Sequence, residues 1–106
     1  MIDLMDRVAV LTEILSQNPA DAFARYGLAM EYSKTGEVER ALEEFGKLLS
    51  AHPEYTAGYF MAAQTLASAS RREEAKKMLA DGIASAKRTG NAHAQSEMKA
   101  MLAELG

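Results

Sequence analysis

An all-α fold of about six antiparallel helices is what this sequence predicts, and three observations predict it. Its 106 residues are rich in alanine, contain only two prolines and scatter their strand formers thinly, which is a helical composition. Apolar residues recur at spacings of three and four through successive stretches, the stripe of an amphipathic helix. The chain also repeats itself. Pro19 and Pro53 stand 34 residues apart, as do Ala41 and Ala75, Phe45 and Leu79, and Tyr32 and Leu66. That period accommodates one pair of helices with its turns.

The first segment, 3–17, carries Leu4, Val8, Leu11, Ile14 and Leu15 on one stripe; Asp3 is placed to cap its start and Asn18-Pro19 to end it. The second, 20–34, holds Phe23, Tyr26, Leu28, Met30 and Tyr32 and stops at Thr35-Gly36, where glycine can take the left-handed conformation. The third, 38–51, repeats the pattern with Val38, Ala41, Leu42, Phe45, Leu48 and Leu49 and ends at His52-Pro53. The fourth, 54–69, holds Tyr59 to Ala63 and Leu66, and the charge switch at Arg71-Arg72-Glu73-Glu74 marks the next start. The fifth, 71–88, turns Ala75, Met78, Leu79, Ile83 and Ala86 to one side and ends at Thr89-Gly90-Asn91. The sixth, 92–105, has Ala94, Met98, Met101, Leu102 and Leu105 on one stripe and His93, Gln95, Glu97, Lys99 and Glu104 behind it. The connections are short, so no linker separates two domains.

Composition excludes several functions. There is no cysteine, hence no disulfide and no thiolate metal site. A net charge of -3 offers no general attraction to phosphate, so nucleic acid is not an expected partner. No apolar run approaches the roughly 20 residues of a membrane helix. The acidic start, Asp3 and Asp6, is unlike a signal peptide, and the chain reads as cytoplasmic. Catalysis has no motif: a Gly-rich phosphate loop, a Gly-x-Ser-x-Gly elbow and a cysteine nucleophile are all missing. Glu43-Glu44 and Glu73-Glu74 are adjacent acids that diverge on a helix. Glu43–Lys47 and Glu73–Lys77 read as surface pairs, each contributing a few tenths of a kcal/mol, roughly. His93 and Glu97, four apart, have a spacing seen in metal sites but are only two ligands, so neither metal nor cofactor is expected.

The stretch Leu28-Ala29, Tyr32, Gly36, Ala41, Phe45 and Pro53 resembles the tetratricopeptide repeat at every one of these positions. Small residues at Ala29 and Ala41 let paired helices approach, while Leu28, Tyr32, Phe45 and Leu48 fill the space around them. The resemblance implies an α-α superhelix, a helix-turn-helix solenoid forming one domain. Residues 1–19 would be a half repeat or N-terminal cap, 20–53 and 54–89 two repeats, and 90–106 a C-terminal capping helix. Three departures stand out. Arg25 replaces a large aromatic that the second repeat keeps as Tyr59; Ser70 stands where Gly36 would recur, and Lys87 where Pro53 would. Losing both stops predicts a longer fifth helix.

In this family the first helix of each pair lines a concave groove that takes an extended or helical peptide. By register, the groove positions are Phe23, Tyr26, Met30, Ser33 and Lys34 in the first repeat and Phe60, Met61, Gln64 and Ser68 in the second. Each of these would serve equally well in a core; the cluster, with its methionines and aromatics, points to an adaptable contact surface. No first helix precedes segment one, so Phe23 and Tyr26 are expected to lie uncovered. Some relatives clamp a carboxylate with lysine, asparagine and arginine. Here those positions hold Tyr26, Met30, Phe60 and Gln64, so no affinity for acidic chaperone tails is expected. Two functions follow from the resemblance: an adaptor that binds a peptide segment of a partner protein without catalysis, or a module that forms a homodimer through the uncovered flank of helix 20–34.

Overall fold

The computed structural model describes residues 4–106, with side chains from Arg7 onward. Its described residues form helices α1 Leu4–Gln17, α2 Ala22–Lys34, α3 Val38–Ala51, α4 Thr56–Ser68, α5 Arg72–Arg88 and α6 Ala92–Leu105. These match the six expected segments to within two residues; the expected cap Asp3 lies outside the described residues. The second helix starts later than its apolar pattern suggests because Asp21 caps it, its carboxylate accepting from the Ala24 N–H at 2.9 Å. No helix among the described residues is long and apolar enough to cross a membrane. The chain divides into two compact units, the first ending at His52 and the second running Pro53–Gly106.

In the first unit α2 packs against both α1 and α3. Leu15, Ala24 and Leu28 are buried together, with Val8, Leu11 and Tyr32 closing over them. Ala29, Ala41 and Phe45 are sealed from solvent, and the burial of Phe45 alone contributes about 3 kcal/mol. Polar ties cross the same helices. Arg7 on α1 donates to Glu31 on α2 at 3.1 Å, and His52 Nε2 lies 3.0 Å from the Ala20 carbonyl. The Arg40 guanidinium sits 5.7 Å from the centre of the Tyr32 ring.

In the second unit α5 lies between α4 and α6 and contacts both. The Pro53 carbonyl accepts from Tyr59 Oη on α4 and from the fully buried Ser85 Oγ on α5, each at 2.7 Å. That one acceptor fixes the entry of α4 against the last turn of α5. One of the two expected surface pairings changes. Glu43–Lys47 forms at 3.4 Å, but Glu73 meets Lys76 at 3.6 Å, while Lys77 reaches forward to Asp81 at 3.7 Å. At the start of α5 a two-pronged hydrogen bond from Arg71, 2.8 Å on each side, holds the Glu74 carboxyl below its ordinary pKa.

Ser70 corrects one expectation. It does not remove the stop after α4: its φ is 62°, in the left-handed region that Gly36 and Gly90 occupy at 79° and 72°. The three turns share one hydrogen-bond pattern, with Glu37 N–H to Tyr32, Arg71 N–H to Leu66 and Asn91 N–H to Ala86 at 2.9, 2.9 and 2.8 Å. The helix is therefore terminated by its carbonyls finding partners, with serine tolerating the conformation at a cost. Ser70→Gly is expected to raise unfolding stability by about 0.5–1 kcal/mol and Gly36→Ala to lower it by about 1 kcal/mol, both read from urea titrations. The other missing stop has the effect the sequence suggests. With Lys87 in place of proline, α5 runs for 17 residues against 14 in α3.

Candidate functional site

Within the second unit, α4 and α6 flank an open cleft of about 310 Å³ lined by Phe60, Gln64, Glu97, Ala100, Met101 and Glu104. Phe60 and Gln64 are four apart and share one face of α4. Glu97, Ala100, Met101 and Glu104 follow the i, i+3, i+4, i+7 spacing of one face of α6. Phe60 and Met101 are half-buried and the other four residues are exposed. The floor is therefore apolar and the rim polar.

The cleft is held open from behind. Tyr59, next to Phe60, turns inward and is buried, as is Met98 on α6. Both reach Gly82 of α5, where even a Cβ would come within 2.5 Å of the Met98 sulfur and 2.6 Å of Tyr59 Cβ. Asn91 fixes the start of α6: its side chain accepts from the Ala94 N–H at 3.1 Å and donates to Thr56 Oγ1 on α4 at 3.4 Å. The inward residues set the helix spacing, and the outward ones are left to meet something else.

Charge around the cleft is negative. Helix α4 contains no charged residue. Glu97 Oε1 lies 3.0 Å from His93 Nε2, an ion pair only while the imidazole is protonated, and Glu104 forms no ion pair among the described residues. His93 and Glu97 are thus engaged with each other, and no group of three potential metal ligands occurs among the described residues.

The residues singled out from sequence fall into different places. Phe60 and Gln64 line the cleft; Met61 is half-buried and Ser68 exposed, and neither lines it. On α2, Phe23 is 78% exposed. Tyr26 is not uncovered as expected: it is half-buried, its ring edge-on to Phe45 on α3 with centroids 6.4 Å apart. Met30 and Ser33 are half-buried, and Lys34 is exposed, 3.6 Å from Glu31. Repeat register does not reach the α6 side of the cleft. Glu97 and Glu104 read as a solvated back and Met101 as core, because a stripe on a helix does not say where its edge meets a neighbour. The available signal was the apolar-acidic border at Glu97, Met101 and Glu104.

No family model matches the chain. A tetratricopeptide repeat domain protein from Salinibacter ruber, solved by NMR, is 30% identical and superposes with a TM-score of 0.77, over 83% of this chain and 89% of that one. The chain belongs to the tetratricopeptide-repeat family. This tetratricopeptide-repeat protein is also 28% identical over 95 residues to a TPR repeat-containing protein of Pseudomonas aeruginosa, 90% of each chain being covered. The TPR2B domain of yeast Sti1, determined in a complex with pHsp70, shares its fold with a TM-score of 0.87 at 17% identity, over 97% of this chain and 82% of that one. The departures at Arg25, Ser70 and Lys87 are therefore variations inside a tetratricopeptide-repeat fold.

Proposed function

We propose that this chain is a non-catalytic interaction module that holds a peptide segment or helix of a partner protein, and that the α4–α6 cleft is the contact surface of its second unit. One observation carries the reading: Phe60 and Met101 stay accessible in a cleft whose walls are fixed by Gly82, Tyr59 and Met98 behind them. Aromatic and methionine side chains on rigid helices supply contact area at little entropic cost. The pHsp70 complex of the Sti1 neighbour makes a polypeptide the natural class of occupant. Phe23, Met30 and Lys34 on α2 are proposed as contacts belonging to the first unit.

Capture from a native lysate tests this. Wild type should retain a partner that Phe60→Ser loses while keeping its helical circular dichroism. Undiminished retention by Phe60→Ser would remove the cleft from the proposal.

Self-association is the second reading, favoured by Phe23 at 78% exposure and by Val10 and Ile14 at 51% and 39% in the same unit. Phe23→Glu is the cleaner probe, since Tyr26 is engaged with Phe45. On this reading the solution mass over a dilution series is that of a dimer for wild type and a monomer for Phe23→Glu. A monomeric wild type at all concentrations rules the dimer out.

A further inference from the structure

We propose, resting on the peptide-binding reading of the same cleft, that its occupant is a segment with two lysine or arginine side chains about 10 Å apart around an apolar side chain. The apolar side chain meets the Phe60 and Met101 floor, and each cation meets one of the carboxylates of Glu97 and Glu104. These two acids are seven residues apart on α6, which places them about 10.5 Å apart along its axis at 1.5 Å per residue. Residues three apart in a polyproline II segment span about 9.3 Å on one side, and residues seven apart on a helix span the same two turns. On a helix the residue midway between them shares their face, so a cationic side chain can reach each acid while an apolar one covers the floor.

Charge complementarity decides the sign. No lysine or arginine lines the cleft, and α4 contributes no charge to offset the two glutamates. Glu104 forms no ion pair among the described residues, and the one partner of Glu97 among them is His93, at 3.0 Å. Lys99 is the one cation of α6, and its position on the helix is 200° from Glu97 by the 100° step, away from the cleft face. Apolar walls beside the carboxylates lower the local dielectric and strengthen their attraction for a cation. An acidic segment would bring like charges together, with Gln64 as the only side-chain amide lining the cleft to receive it.

Panning a random octapeptide library on the full chain tests the proposal. Enriched sequences should carry paired Lys or Arg at the stated spacing around a Leu, Ile, Phe or Met. A fluorescein-labelled peptide made from them should lose about tenfold in affinity for Glu97→Gln/Glu104→Gln, and should keep its affinity for Glu13→Gln/Glu73→Gln, which removes the same charge elsewhere. Equal losses in both double variants reduce the effect to net charge and overturn the proposal. Enrichment of acidic or neutral peptides also overturns it; if those peptides depend on Phe60, the peptide-binding reading stands without the cationic specificity. If nothing is enriched, both fail.

Discussion

Gly82→Ala is expected to lower the unfolding free energy by about 2 kcal/mol, although alanine is the better helix former by about 1 kcal/mol. The new Cβ would lie 2.5 Å from the Met98 sulfur and 2.6 Å from Tyr59 Cβ. The sulfur can swing away, because methionine is flexible. Tyr59 Cβ cannot: it is fixed to the α4 backbone, and its hydroxyl is tied to the Pro53 carbonyl at 2.7 Å. Helices α4 and α5 must therefore separate, exposing Leu79 and Ala86, which are sealed from solvent in the native packing. Gly46→Ala is the matched control. It is helical and exposed, with nothing within 4 Å of a new Cβ, so it should gain about 0.5–1 kcal/mol. Urea unfolding of the two variants decides the matter; a Gly82→Ala variant as stable as Gly46→Ala would mean the helices give way without cost. Met98→Ala added to Gly82→Ala should relieve only the sulfur clash.

Glu44→Ala should cost about 2–3 kcal/mol, below the range for a fully buried pair because some solvent reaches it. Arg25 Nη1 donates to Glu44 Oε1 at 2.6 Å, and the two side chains are 16% and 11% exposed. Removing the carboxylate leaves a guanidinium with the Pro19 carbonyl, which it meets at 3.1 Å. The repeat itself supplies the compensating change. Thirty-four residues on, the same two positions hold Tyr59 and Met78, and Tyr59 reaches the Pro53 carbonyl as Arg25 reaches that of Pro19. An arginine–glutamate pair in one unit thus occupies the place of a tyrosine and a methionine in the other. Arg25→Tyr/Glu44→Met should be at least as stable as wild type, because apolar replacement of a largely buried ion pair is often neutral or favourable. A double-mutant cycle measures the coupling. Additive single losses, with no recovery in the pair, would show that the two positions do not act together.

Much of the fold is legible in the sequence because helix boundaries are local events. Pro19 and Pro53, and Gly36 and Gly90, act within a turn of their own positions. Ser70 was harder to read, since serine in the left-handed region is recognisable only once the Arg71 to Leu66 hydrogen bond is seen. Arg25 looked like a defect in the repeat because its partner Glu44 is 19 residues away, on another helix.

The candidate site divides along the same line. Phe60 and Gln64 followed from register, whereas Glu97, Met101 and Glu104 came only from the placement of α6 beside α4. Register alone puts Tyr26 on an uncovered flank, yet Phe45 takes up its ring. The sequence by itself determined the six helices, the 34-residue register and the family resemblance, because each rests on backbone preferences and apolar spacing within a short span. The tertiary structure decided which residues of a shared stripe are core and which are left facing a cleft. Periodicity records the direction in which a side chain points along its own helix; what it meets depends on residues far away in the chain, and for Gly82 on the space that one missing Cβ leaves to Tyr59 and Met98.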